Sequence, residues 1–230
     1  MTSTLIALTL AAGIAGAAHA DLTATYGPPG AAAMMTVKIA ASGNTRSDII
    51  PGGLALLTIG GEDYAIQLRA AQPVVDRIAD LKIVVAERVA AIPPDVRANI
   101  IAHMKPMKFV ERGTATVIGR TGRAYFLQKE DGTLSPTPWL VISTDPALAP
   151  LAAATMRQFI LSRAMMPIPE ESDPFKEIGE ILKTGAPIVM TGLELQSLSD
   201  APIPAADFAL PAQPETLDQL RQRDPQTQLK

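Results

Sequence analysis

The chain has 230 residues, a formal net charge of −3 at pH 7, 47% hydrophobic residues and no cysteine. This length and apolar content suffice for one domain with a buried core. The mildly acidic charge argues against a general nucleic-acid binder, which needs a basic surface, and the lack of cysteine excludes disulfides, a thiol nucleophile and a cysteine-linked lipid anchor.

The first twenty residues have the pattern of a secretory signal peptide. They carry no charged side chain, and their apolar run from Leu5 to Ala18 is shorter than the about 20 residues that cross a bilayer. Ala18 and Ala20 are the small residues that a signal peptidase requires. The sequence therefore predicts cleavage after Ala20, a periplasmic protein and no stable transmembrane anchor. The alternative, an N-terminal core helix, would be weakened by the glycines at positions 13 and 16.

Residues 21–213 are predicted to form one domain that begins with antiparallel strands. In "AMMTVKIAA" the residues Met35, Val37 and Ile39 alternate with more polar neighbours, as in a strand with one buried face. The pair Gly60-Gly61 in "LALLTIGGEDYAIQL" predicts a hairpin tip between two further strands. Beyond that tip, the alternation places Tyr64, Ile66 and Leu68 on one face.

Helices and further strands follow along the chain. Apolar residues at spacings of three and four over 74–92 predict an amphipathic helix that Pro93-Pro94 ends, and "DVRANIIAHM" predicts a second. Strands are predicted in "KFVERGTATVIG", "RAYFLQ" and "PWLVIS". Asp145 and Asp173 then cap two further helices, and "PIVMTGLELQSL" supplies one or two closing strands. The composition of residues 214–230, rich in Pro, Gln and Asp, predicts a flexible tail.

This order predicts an α+β fold, in which a curved antiparallel sheet has its helices gathered on one face. Such a sheet can leave an apolar hollow between the layers, where ligands bind. We expect seven apolar side chains to line this hollow, namely Met35, Val37, Ile39, Ile66, Leu68, Val117 and Leu127.

The sequence offers little for catalysis. His103 is the one histidine after the predicted cleavage site, and no known nucleophile, phosphate-binding or zinc-protease motif occurs. We therefore predict a protein that is not an enzyme and has no cofactor. In "HMKPM", His103, Met104 and Met107 have side chains that suit Cu(I). The favoured alternative is that these methionines fill gaps in a core or pocket.

The segments "TVKIAASGNTRSDII", "LALLTIGGEDYAIQL" and "ADFALP" resemble the second, third, fourth and closing strands of the periplasmic lipoprotein-carrier (LolA-like) superfamily. "WLVISTDPALAPL" is similar to a run in uncharacterised bacterial members. The resemblance implies a curved half-barrel with helices covering its concave face, and an apolar ligand there. Arg46 falls where the carrier has an arginine that secures the lid, but Ser47-Asp48 follows it in place of a proline-bearing run.

The resulting hypothesis is an exported periplasmic protein that binds a lipid or another apolar small molecule. Two alternatives stay open. One is a structural or interaction module of the cell envelope, which has a filled core and an envelope protein as its partner. The other is a Cu(I)-binding protein.

Overall fold

The computed structural model describes residues 20–68 and 72–223. The predicted signal peptide, apart from Ala20, lies outside these residues, so its cleavage stays a prediction. Within the described residues, no helix is long and apolar enough to cross a membrane.

The described strands form a single antiparallel sheet that is curved and not closed. In chain order they are β1 (Leu22–Gly27), β2 (Met35–Ile39), β3 (Thr45–Ile49), β4 (Leu54–Ile59), β5 (Glu62–Gln67), β6 (Val74–Arg77), β7 (Lys108–Val117), β8 (Arg120–Gln128), β9 (Leu140–Ser143), β10 (Ala186–Met190) and β11 (Leu193–Ser199). Their spatial order is β6-β5-β4-β3-β2-β1-β11-β10-β9-β8-β7. The pairing of β1 with β11 therefore joins two meanders, one from each half of the chain.

The helices of the described residues lie between these strands or after them. They are α1 (Ile78–Ala90), α2 (Pro94–His103), α3 (Ala149–Ala164), α4 (Lys176–Leu182) and α5 (Leu217–Arg223). The predicted α+β class is thus confirmed. Before α3, the Asp145 Oδ1 accepts a hydrogen bond of 2.9 Å from the backbone N–H of Ala147, as predicted for a capping residue.

Helix α3 packs against β1, β2 and β10. Its residue Leu151 is fully buried in the same apolar cluster as Val37 of β2 and Ile188 of β10. Arg157, farther along α3, donates two hydrogen bonds to the carboxylate of Asp63 in β5. The Nε–Oδ1 and Nη2–Oδ2 distances are both 2.9 Å. These contacts fix α3 across strands from both meanders.

The other face of β3–β6 packs against the C-terminal segment. Phe208 is 2% exposed and lies in a cluster with Leu57, Tyr64 and Ile66. The segment "ADFALP" was expected to form a closing strand, but residues Ala205–Phe208 form a turn of 3-10 helix. This local turn places the aromatic ring of Phe208 in the apolar cluster.

Two elements near the start of the chain differ from the sequence predictions. The helix expected from residue 74 begins at Ile78, because Val74–Arg77 pairs with β5 as strand β6, with Val75 opposite Ile66. Strand β1 was not predicted, although Leu22, Ala24 and Tyr26 alternate in it. Whether such a short segment forms a strand depends on the neighbouring strand with which it can pair.

The tail predicted over 214–230 contains helix α5 in its described part. Leu220 is 6% exposed, and Arg221 Nη2 lies 2.5 Å from Glu87 Oε1 of α1. Arg223 Nη2 lies 2.6 Å from Oδ1 of Asp76, which is 1% exposed. These contacts hold α5 against the domain despite its polar composition.

Candidate ligand-binding site

Three of the residues predicted to line a hollow lie together on β2. Met35, Val37 and Ile39 are all buried, with exposures of 4%, 0% and 7%, so the predicted alternation is confirmed. However, Val37 packs in the core cluster that contains Leu151 of α3. The space above the middle of β2 is therefore filled by side chains.

Ile66 and Leu68 do not share the face of these β2 residues. Through the strand pairings, Met35 faces the same side as Ile49 and Leu54, whereas Ile66 faces the same side as Ala55. Adjacent residues of a strand point to opposite faces, so Ile66 lies on the other face of the sheet. Leu68 lies beyond the end of β5 and is 42% exposed.

Val117 and Leu127 also lie on opposite faces, in this case of the β7–β8 hairpin. Val117 pairs with Arg120, seven residues from Leu127 along β8, and this odd separation places them on different sides. Leu127 pairs with Phe109, which packs near Tyr125. The seven predicted residues therefore do not line one hollow.

The structure has a cavity at the end of β2, and Met35 is the one predicted residue that lines it. The cavity has a volume of about 350 Å³, within the range of small-molecule sites. We name it the methionine cavity. Its strand side is formed by Met34, Met35, Ile49, Pro51, Met190 and Leu193. Its helix side is formed by Thr155, Gln158, Phe159 and Ser162 of α3.

The spacing of the α3 residues explains why this cavity exists. Thr155, Gln158 and Ser162 are separated by three and four residues, which places them on one face of the helix. The small Thr and Ser side chains leave space there, opposite the flexible methionines. These helix residues were missed at the sequence level. Their spacing along α3 places them on one face of the helix, but it does not show that this face is buried.

The methionine cavity differs in charge from other cavities of the described structure. None of the described residues that line it is charged. Four other cavities each include charged side chains, such as Lys82 between α1 and α3 or Asp76 near α5. One of these, of about 430 Å³, lies beside the first half of α3 and includes Ala153 and Arg157. The methionine cavity is therefore the one among them that suits an uncharged ligand.

Among the described residues that line the methionine cavity, Gln158 has the one buried side-chain atom without a hydrogen-bond partner. Gln158 is 8% exposed, and its Nε2 donates to the Sδ of Met35 over 3.4 Å. Its Oε1 is buried and has no hydrogen-bond partner. In contrast, the nearby Thr155 hydroxyl donates to the Leu151 carbonyl oxygen at 2.8 Å.

Tyr26 helps to hold the strands beside the cavity in position. It pairs with Met35 across β1 and β2, and its hydroxyl donates a 2.8 Å hydrogen bond to the Pro187 carbonyl oxygen of β10. Burial raises the pKa of the Tyr26 hydroxyl far above its usual range, because the ionised form would lose its hydration. The phenol thus stays a neutral donor.

The described hydrogen bonds of the Arg46 side chain go to its own strand β3 and to the C-terminal segment. Arg46 shares its face of the sheet with Lys38 and Leu57, opposite to the face that carries Val37. Its Nε and Nη2 each lie 2.9 Å from Asp48 Oδ1, and its Nη1 donates to the Asp207 carbonyl oxygen at 3.0 Å. Arg46 therefore anchors the C-terminal segment that contains Phe208.

The residues considered for copper lie near the end of α2 and the start of β7. His103 is exposed, and its Nδ1 lies 2.9 Å from the Asn99 carbonyl oxygen. Met107 packs against the cluster around Tyr125. The described residues contain no group of three His, Cys, Asp or Glu side chains that could hold a metal ion.

Comparisons of the chain with models of protein families, with curated proteins and with solved structures find no match. The resemblance to the lipoprotein-carrier superfamily therefore stays a prediction.

Proposed function

We propose that the protein binds a neutral, largely apolar ligand in the methionine cavity and does not transform it. The observation that carries this proposal is an uncharged cavity of about 350 Å³, bordered by three methionines and adjacent to a packed core. Methionine walls are flexible and adapt to apolar ligands of different shapes. The ligand is thus held by apolar burial, which needs no charged anchor.

The size of the cavity limits the part of the ligand that is enclosed. At about 30 Å³ for each water-sized group, a volume of about 350 Å³ holds about a dozen non-hydrogen atoms. Because the cavity opens to solvent, a longer molecule can extend beyond it. A medium-length hydrocarbon chain or a compact isoprenoid fits these limits.

We further propose that the sheet is a half-barrel and that α1 and α3 cover its concave face. Two contacts support this arrangement. Leu151 of α3 packs with Val37, and Ile78 of α1 packs with Leu56, on the same face of the sheet. In this arrangement the methionine cavity is one of the parts of the concave side that side chains leave open, and the cavity beside Ile39 and Arg157 is another. The apolar start of the chain supports export to the periplasm.

A second candidate function is an interaction module of the cell envelope. Helix α2 contains no buried residue, and it exposes 44% of Val96 and 40% of Ile101. These exposed apolar side chains favour a surface for a partner protein, since association would remove them from water. This candidate predicts that no ligand is bound.

Native mass spectrometry tests the first proposal against the second. The protein would be purified without detergent from the cells that make it, and a solvent extract would be analysed in parallel. We expect one apolar adduct per chain, which the solvent releases. If the protein instead carries no adduct and takes up none from a total lipid extract, the binding proposal is contradicted and the interaction module is favoured.

A further inference from the structure

The Gln158 amide provides information on the ligand beyond its apolar character. A buried polar atom without a hydrogen-bond partner is costly, so folded proteins rarely retain one without a reason. The Gln158 side chain lines the methionine cavity, and its Oε1 has no partner. A leucine or methionine at this position would fill similar space without that cost.

The orientation of the amide can be assigned from its neighbour. The sulfur of Met35 lies 3.4 Å from the amide nitrogen, and a thioether sulfur can only accept a hydrogen bond. The NH₂ group of Gln158 therefore faces Met35, and the carbonyl oxygen Oε1 is the unpaired atom. The hydroxyls of Thr155 and Thr191 do not supply a donor, because each donates to a backbone carbonyl oxygen. The Ser162 hydroxyl also lines the cavity and does not bond Oε1.

We propose that the ligand carries one neutral hydrogen-bond donor, such as a hydroxyl group, and that the Gln158 amide turns toward it so that Oε1, which is shielded in the ligand-free protein, accepts this hydrogen bond. This inference rests on the proposed function and narrows the ligand to a neutral amphiphile of the alcohol class. A carboxylate ligand does not fit, because an ionised carboxylate only accepts hydrogen bonds and no described cationic side chain lines the cavity. A pure hydrocarbon would leave Oε1 unpaired.

Two isomers test this inference, 1-decanol and nonyl methyl ether. They share one molecular formula and differ in whether the oxygen can donate. We would measure both affinities by isothermal titration calorimetry for the wild type and for the variants Gln158→Leu and Leu193→Ala. Leu193→Ala is the matched control, because it shortens the apolar wall without changing the amide.

The wild type should bind the alcohol about three- to tenfold more tightly than the ether, the ratio expected for one net hydrogen bond. Gln158→Leu should reduce this ratio to about one, whereas Leu193→Ala should weaken both isomers and preserve the ratio. Equal affinities in the wild type, a preference for the ether, or a preference that survives Gln158→Leu would overturn the inference. Failure of both isomers to bind the wild type would contradict the proposed function as well.

Discussion

Replacement of Ser162 by phenylalanine should weaken the binding of 1-decanol about a hundredfold. Ser162 lines the methionine cavity from α3, so a phenyl ring at this position occupies the ligand's space. If the ring excludes about 120 Å² of apolar ligand surface, the loss is about 3 kcal/mol, which corresponds to a hundredfold change in affinity. Titration calorimetry of the purified variant would measure the loss.

Ala153→Phe is the matched control for Ser162→Phe. It places the same ring on the same helix, at an exposed position beside the separate cavity that includes Arg157. We expect this variant to bind 1-decanol with the affinity of the wild type. A loss of binding in Ala153→Phe that equals the loss in Ser162→Phe would show that the ligand does not occupy the methionine cavity. Circular dichroism would establish that both variants are folded.

Val37→Asp should abolish folding. Val37 is fully buried between the sheet and α3, and an unpaired charge in such a place costs several kcal/mol. This cost approaches the whole stability of a typical domain, about 5–15 kcal/mol. Binding would then be lost because the core unfolds and not because Val37 contacts the ligand. Thermal denaturation followed by circular dichroism should show no cooperative transition.

Thr23→Asp provides the comparison for Val37→Asp. Thr23 lies on the neighbouring strand β1 and pairs with Lys38, so its side chain points to the other face of the sheet. We expect this variant to unfold cooperatively, with a midpoint near that of the wild type. If Val37→Asp behaved in the same way, Val37 would face a solvated hollow, and a packed core between β2 and α3 would be contradicted.

The strands with a clear alternation of apolar and polar residues could be predicted from the sequence. β2 has this pattern, and the positive φ angles of Gly60 and Gly61 explain why glycine occupies the hairpin tip. Strand β6 could not be predicted in the same way. Its two valines also fit the helical spacing that continues into α1. Only the pairing with β5, in which Val75 lies opposite Ile66, shows that this segment is a strand.

The candidate site was predicted less completely than the fold, because it depends on long-range pairing. Met35 was identified from the alternation in β2. Ile66 was assigned to the wrong face, because the facing of one strand relative to another depends on turn and register. Leu127 and Val117 were assumed to face the same side, and their hairpin also contains an irregularity at Gly113, which has a φ of 70°.

The polar side of the methionine cavity could not be recognised from composition. Gln158 and Ser162 look like ordinary surface residues of a helix, since polar side chains are usually exposed. Only the packing of α3 against β2 and β10 turns this face of the helix inward. The proposed ligand is therefore still apolar, as in the hypothesis from the sequence. The proposed site, however, lies at the end of β2 and not at the middle of the sheet.

The most direct test of a ligand site in the methionine cavity is a titration with 1-decanol, followed by NMR of protein labelled with ¹³C at the methionine methyl groups. The methyl signals of Met34, Met35 and Met190 should shift, because these residues line the methionine cavity. The signals of Met104 and Met107, which do not line it, should stay in place. Shifts confined to Met104 and Met107, or no shift at saturating alcohol, would contradict a ligand site in the methionine cavity.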